Sequence, residues 1–278
     1  MDVCLSMWSF ALDLQQRRMD ISRFAALCRE LGVEQVELVD YFWVSAGQPL
    51  SALHEVGLKV CAYDTATDFV HLAPTSRLEQ VKLAYAVIEE AVRIGAQFVR
   101  LLPGYRKPGI GDDDALQMVV ESVSAVARYA YNAGIAVVLE PHGDVVYSAE
   151  TLRYIAEQVH SGVFGANADL CTFLLSGLDP VSECAAIADL CRFAHLNDVR
   201  RVSDTYSGYR YGSVDGHHYA GTAVGYGEID IRQCLQGLVS AGFQGPFSVE
   251  YLGMEGASKG VPRSLEKVRT ILQEVRGA

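Results

Sequence analysis

Short apolar runs alternate with longer stretches of helical periodicity along the whole chain, and the alternation itself predicts an architecture. The first run covers residues 3–7. A helix follows over 21–31, with apolar side chains at 21, 24, 25, 28 and 31, the spacing of one helix face. Further strand-like runs are predicted at 35–39, 59–63, 98–102, 136–139, 164–168, 193–196 and 247–249. Helical patterns over 76–94, 114–132, 149–159, 181–190, 231–241 and 265–275 fall between or after them. Gly32, Gly57, Gly95 and Gly134 stand between helical patterns and the next strand, where a left-handed C-cap is needed. Asp230 with Gln233 reads as a capping box opening the penultimate helix.

Eight strand-plus-helix units in 278 residues are what a single (β/α)8 TIM barrel requires. The strands are continuous apolar runs, as expected of parallel strands covered on both faces. No shift in composition divides the chain, so residues 1–278 are predicted to form one domain. A doubly wound open sheet is the competing arrangement, but no GxGxxG follows the first strand.

Composition narrows the partners. Half of the residues are apolar and the net charge is −11, from 23 basic and 34 acidic side chains. Such a surface repels phosphate backbones, which points away from nucleic acid and anionic membranes and toward a small-molecule substrate. The seven cysteines are scattered without a CxxC pair and lie mostly in apolar stretches. They are expected to be reduced thiols of a cytoplasmic protein, not a disulfide framework or zinc knuckle. The opening residues lack the basic and long apolar segments of a signal peptide, and no apolar run approaches the roughly 18 residues of a membrane span.

In barrels of this kind the C-terminal strand ends carry the chemistry. Four consecutive units each end in an ionisable side chain: Glu140, Asp169, His195 and Glu250. Any one of them alone reads as a strand-end polar group satisfied by a neighbour. One per strand, on the last four strands, they can meet around one point. Converging carboxylates are costly to bury, and a shared cation is the simplest compensation. Three carboxylates and an imidazole suit a hard to borderline divalent ion such as Mn²⁺, Mg²⁺ or Co²⁺.

Leu139-Glu140-Pro141-His142-Gly143, Ala168-Asp169-Leu170, Ala194-His195-Leu196-Asn197-Asp198, Gly225-Tyr226-Gly227-Glu228-Ile229-Asp230 and Ser248-Val249-Glu250-Tyr251 together resemble the xylose isomerase-like TIM-barrel superfamily. Within it, the chain is similar to the sugar phosphate isomerase/epimerase group, over nearly its full length. The resemblance implies that Glu140, Asp169, His195 and Glu250 hold one divalent ion, with Mn²⁺ expected first and Mg²⁺, Co²⁺ or Zn²⁺ as alternatives. It also implies that Glu140 and Glu250 act as acid and base on opposite faces of a sugar, through an enediolate. Arg201, at the matching offset beyond His195, is implied to contact substrate. Two positions depart from the pattern: Asn197 where a lysine often stands, and Thr172 where the epimerase branch commonly has a histidine.

Other residues near strand ends are secondary candidates. His142 is read as a substrate contact or a donor behind the ligands, or equally as a loop histidine capping a helix. Glu37 and Asp64 end the second and third runs and could bind sugar hydroxyls, with solvation in a loop the expected fate of Asp64. Trp8 and Phe10 form an apolar wall for the substrate or simply pack the barrel. Residues 198–227 make a long loop rich in tyrosine and glycine, read as a lid or subunit contact, and His217-His218 within it as a solvated pair. Arg106-Lys107 and Arg200-Arg201 could hold a phosphate or carboxylate. The expected function is therefore a metal-dependent isomerase or epimerase of a small sugar, ketose or polyol-derived ketone. A dehydratase of the inosose or dehydroshikimate type stays open as the alternative. Behind it come an endonuclease IV-like hydrolase and a non-catalytic sugar-binding subunit. Barrels of this type often pair, so a homo-oligomer is possible, although no patch in the sequence marks an interface.

Overall fold

The computed structural model describes residues 3–47 and 49–277. Eight parallel strands close into a barrel: β1 (Val3–Ser6), β2 (Gln35–Val39), β3 (Lys59–Asp64), β4 (Phe98–Leu101), β5 (Ala136–Leu139), β6 (Phe164–Asp169), β7 (Cys191–Leu196) and β11 (Phe247–Val249), which pairs with β1. Every expected strand is present, and the (β/α)8 reading holds.

Each turn from helix to strand has a local cause. Gly32, Gly57, Gly95 and Gly134 all take positive φ, where a side chain would be strained. The 22-residue helix Asp112–Ala133 carries Asp112, Asp113 and Asp114 in its first turn, opposite the positive end of the helix dipole. Asp230 caps the helix Ile231–Ser240 by accepting from the Gln233 amide. The last helix, Ala257–Gly277, begins eight residues before the expected start at 265, because Pro262 inside it interrupts the sequence pattern. Short helices at Asp40–Ser45, Leu50–His54 and Leu170–Leu175 lie in segments the periodicity did not mark.

Strand alternation sorts the barrel interior into layers. A lower apolar layer holds Cys4, Cys61, Ala62, Val138 and Phe193, with Phe98 packed against it. Two residues further along the strands, Ser6, Asp64, Arg100, Glu140 and His195 replace them, all buried. Cys4 and Cys61 are joined in a disulfide, which corrects the expectation of seven reduced thiols. Both face the lumen within that lower layer, where nothing separates the sulfurs. Cys28, Cys171, Cys184, Cys191 and Cys234 are free and buried.

The 198–227 segment is not the plain loop that its composition suggested. It folds into a separate antiparallel sheet of β8 (Val199–Val202), β9 (Tyr211–Gly212) and β10 (His218–Gly221), with β10 in the centre. Asp198 fixes this sheet to the barrel. Its Oδ1 accepts from the amides of Val199 at 2.9 Å and Ile229 at 3.3 Å, and its Oδ2 from those of Gly225 at 2.9 Å and Gly227 at 2.8 Å. No described helix is long and apolar enough to cross a membrane.

Candidate metal centre

The four strand-end residues do converge at the C-terminal mouth, although not as equals. His195 Nδ1 lies 3.2 Å from Glu140 Oε2 and 3.4 Å from Asp169 Oδ2. Ligand atoms of Glu140, Asp169 and His195 all fall within 4.8 Å of one another. Glu250 joins this group through an amide: Asn197 Nδ2 donates to Asp169 Oδ2 at 2.8 Å and to Glu250 Oε2 at 3.0 Å. The amide cannot be turned round, because Asn197 Oδ1 already accepts from the Cys171 backbone N–H at 2.9 Å. Asp169 Oδ1 caps the helix Leu170–Leu175 by accepting from the Thr172 amide, which leaves Oδ2 to face the centre.

Residues inside the strands complete the site, and the sequence reading missed most of them. Arg100, on β4, donates from Nη2 to Asp64 Oδ2 at 2.9 Å and places Nε 3.2 Å from Glu140 Oε2. Asn167, on β6, donates from Nδ2 to Glu140 Oε2 at 3.1 Å and sits 3.1 Å from His195 Nδ1. Ser248 donates to Glu37 Oε2 at 2.6 Å, and Glu37 Oε1 lies 2.6 Å from His195 Nε2. Asp64, expected in solvent, is fully buried, because strand alternation turns it inward onto Arg100.

Of the remaining secondary candidates, His142 contacts one of the four, and the others pair elsewhere. His142 Nδ1 is 3.5 Å from Glu140 Oε1, and its Nε2 is 2.7 Å from the Tyr105 hydroxyl. Trp8 is 42% exposed beside Phe42, with ring centroids 5.9 Å apart, whereas Phe10 is buried against Phe24. Arg201 lies on β8 with Nη2 2.6 Å from His217 Nδ1, and Arg200 covers the Tyr206 ring. His218 pairs with Asp204. Arg106 is held by Asp112 and Asp144, and Lys107 by Asp68.

Electrostatics divides the carboxylates. Burial pushes Glu37, Asp64, Glu140 and Glu250 up, and neighbouring charges decide the outcome. Arg100 and His195 bring Glu140 well below the usual carboxylate range. Glu37 is lowered to about 2 by His195 and its hydrogen bonds, against the effect of burial. Asp64 is held well above its ordinary value by burial and by Glu37, despite Arg100. Burial, with the charges of Asp169, Glu140 and Glu37, raises Glu250 to about 7. His195 is raised by Glu37, Glu250 and Glu140 although burial opposes it. A compact set of carboxylate oxygens and one imidazole nitrogen, negative in excess, fits a hard to borderline divalent ion.

Solved structures of similar shape share the barrel at low identity, which is a likeness of fold. The IolI protein crystallised with a binding zinc atom matches with a TM-score of 0.79 and 17% identity, over 99% of this chain and 98% of that one. A D-tagatose 3-epimerase-like protein matches at 0.78 and 17%, over 100% and 99%. A xylose isomerase-like TIM barrel protein from Mycobacterium smegmatis in complex with magnesium matches at 0.73 and 18%, over 99% and 97%. No curated protein matches the sequence. The sequence profile described as "Xylose isomerase-like TIM barrel" matches residues 12–271, a span from the segment after β1 to the last helix that takes in all four strand-end residues, and the chain belongs to that family.

Proposed function

We propose that the protein is a divalent-metal-dependent isomerase or epimerase of a small sugar, ketose or polyol-derived ketone. The observation that carries this reading is the convergence of Glu140, Asp169 and His195 within 4.8 Å, with Glu250 tied to Asp169 through Asn197. Those four residues would hold the ion, Mn²⁺ in the first instance. A divalent ion there supplies Lewis acidity toward a carbonyl and its adjacent hydroxyl, which acidifies the carbon-bound proton between them.

The chain's own residues then divide the proton work. Glu140, paired with Arg100 and His195, is one of the two carboxylates assigned to the proton transfer. Glu250, tied to Asp169 through Asn197, is the other. His142, Trp8 and Arg201 are assigned to substrate contact at the mouth.

The test is NMR of a ketose, inosose and hydroxypyruvate panel in D₂O with the Mn²⁺-loaded protein, quenched by chelator before acquisition. Deuterium at the carbon next to the carbonyl supports the reading, and its position separates epimerase from isomerase. Loss of water with a new alkene signal would assign a dehydratase instead. Absence of exchange across the panel, with Glu250→Ala no different from the unaltered protein, would overturn it.

A further inference from the structure

His195 belongs to two overlapping clusters of possible ligands, and the distances separate them. One is Glu140, Asp169 and His195; the other is Glu37, Asp64 and His195. Two donors that share an ion at about 2.1 Å stand about 3 Å apart. On the Nδ1 side, the separations of 3.2 Å to Glu140 and 3.4 Å to Asp169 match such an edge. On the Nε2 side, Glu37 Oε1 stands only 2.6 Å away, a hydrogen-bond distance with no room for an ion between.

We infer that Glu37 is a positioning residue for the ion, acting through His195, and has no substrate role. Both its oxygens are engaged, Oε1 by His195 and Oε2 by Ser248, and none of its surface reaches solvent. Ser248 is in register with His195 on the neighbouring strand β11, so backbone pairing itself sets the hydroxyl that aims Glu37. The carboxylate accepts a hydrogen bond from Nε2–H, which leaves the Nδ1 lone pair as the one facing Glu140, Asp169 and the Asn167 amide. It thereby fixes which nitrogen binds and the plane in which the ring stands. Asp64, held by Arg100, closes the far side of Glu37. A sugar hydroxyl has no path to Glu37, so the sequence-based expectation of a substrate contact there is replaced by this one.

The inference rests on the metal reading above, and its test separates the two. Divalent-ion affinity is measured on the metal-free protein by competition with a chromophoric chelator, for the unaltered chain, Glu37→Ala and Glu37→Gln. The ring nitrogens of His195 are followed by ¹⁵N NMR in the metal-free and Zn²⁺-loaded states. Glu37→Ala is expected to weaken the ion 10- to 100-fold. Glu37→Gln, whose amide oxygen still accepts from Nε2–H, is expected to lose less and keep the Nε2–H resonance. That second variant carries the answer where Glu37→Ala does not fold. Affinity of Glu37→Ala within twofold of the unaltered chain would overturn the inference. So would a Zn²⁺-loaded ring with the proton on Nδ1. An unaltered protein that binds no divalent ion would remove the metal reading, and the inference with it. In that event a metal-free Nε2–H signal moved by Glu37→Gln would still report the hydrogen bond alone.

Discussion

Replacing Asp198 by alanine strips the common acceptor from four backbone amides at once. Val199 and Ile229 are buried, so their N–H groups lose their partner with little access to water. Each such orphaned donor costs about 1–3 kcal/mol. Gly225 and Gly227 lie nearer the surface and regain part of the loss from solvent, about 0.5–1 kcal/mol each. The expected destabilisation is about 3–8 kcal/mol, a large share of the roughly 5–15 kcal/mol that holds a domain together. Urea unfolding followed by far-ultraviolet circular dichroism reads the total. Amide hydrogen exchange reads its location, with protection lost first at Val199, Gly225, Gly227 and Ile229. Asp230→Ala is the comparison, because that carboxylate caps one exposed helix end and its removal costs about 1 kcal/mol. A loss for Asp198→Ala no larger than for Asp230→Ala, or unchanged protection at Gly225 and Gly227, would refute Asp198 as the anchor of the sheet.

Three further outcomes are expected. Burial pushes the Cys28 and Cys191 thiols up to about 12, so the folded chain keeps protons that the unfolded chain releases near 9.0. Their stabilising effect is complete below that value and is lost as pH rises toward 12, by about 1.4 kcal/mol per pH unit for each thiol. Cys28→Ala should flatten the alkaline limb of a stability–pH profile by one such step, and an unaltered slope would count against it. Thiol titration in denaturant should find five groups before reduction and seven after, and seven at the outset would contradict the Cys4–Cys61 bond. Arg100→Met leaves the buried Glu140 carboxylate without its cation and Asp64 without its donor, at a cost of about 3–5 kcal/mol by urea unfolding. A loss below about 1 kcal/mol would mean the pair is not held by Arg100.

The barrel was legible because strands such as β2 and β5 lie between two unambiguous signals, a helix-period stretch ending in glycine and a polar residue at the far end. Gln35–Val39 and Ala136–Leu139 match the expected bounds for that reason. The small sheet was not legible. Val199–Val202 contains two exposed arginines and Tyr211–Gly212 has only two residues, so neither shows an alternation long enough to mark a strand. What organises it is Asp198, whose four amide partners come from two separate stretches of chain.

The site divides along the same line. Glu140, Asp169 and Glu250 announce themselves by closing an apolar run, and His195 as the imidazole one residue before the end of β7. Arg100, Asn167 and Ser248 lie within strands, where a lone polar residue reads as an interruption of no direction. Only closure of the barrel turns them to one interior and shows what each faces: Arg100 the Asp64 and Glu140 carboxylates, Asn167 the Glu140 carboxylate and the His195 ring, Ser248 the back of Glu37. Burying so many charges without partners would be prohibitive, so this inner tier is a condition for having the outer one at all. The outer tier's chemistry follows from it. Arg100 stands against Glu140 and lowers it, whereas burial and the negative charges of Asp169, Glu140 and Glu37 raise Glu250. Two glutamates that look alike in the sequence are thus made electrostatically unlike by residues on other strands.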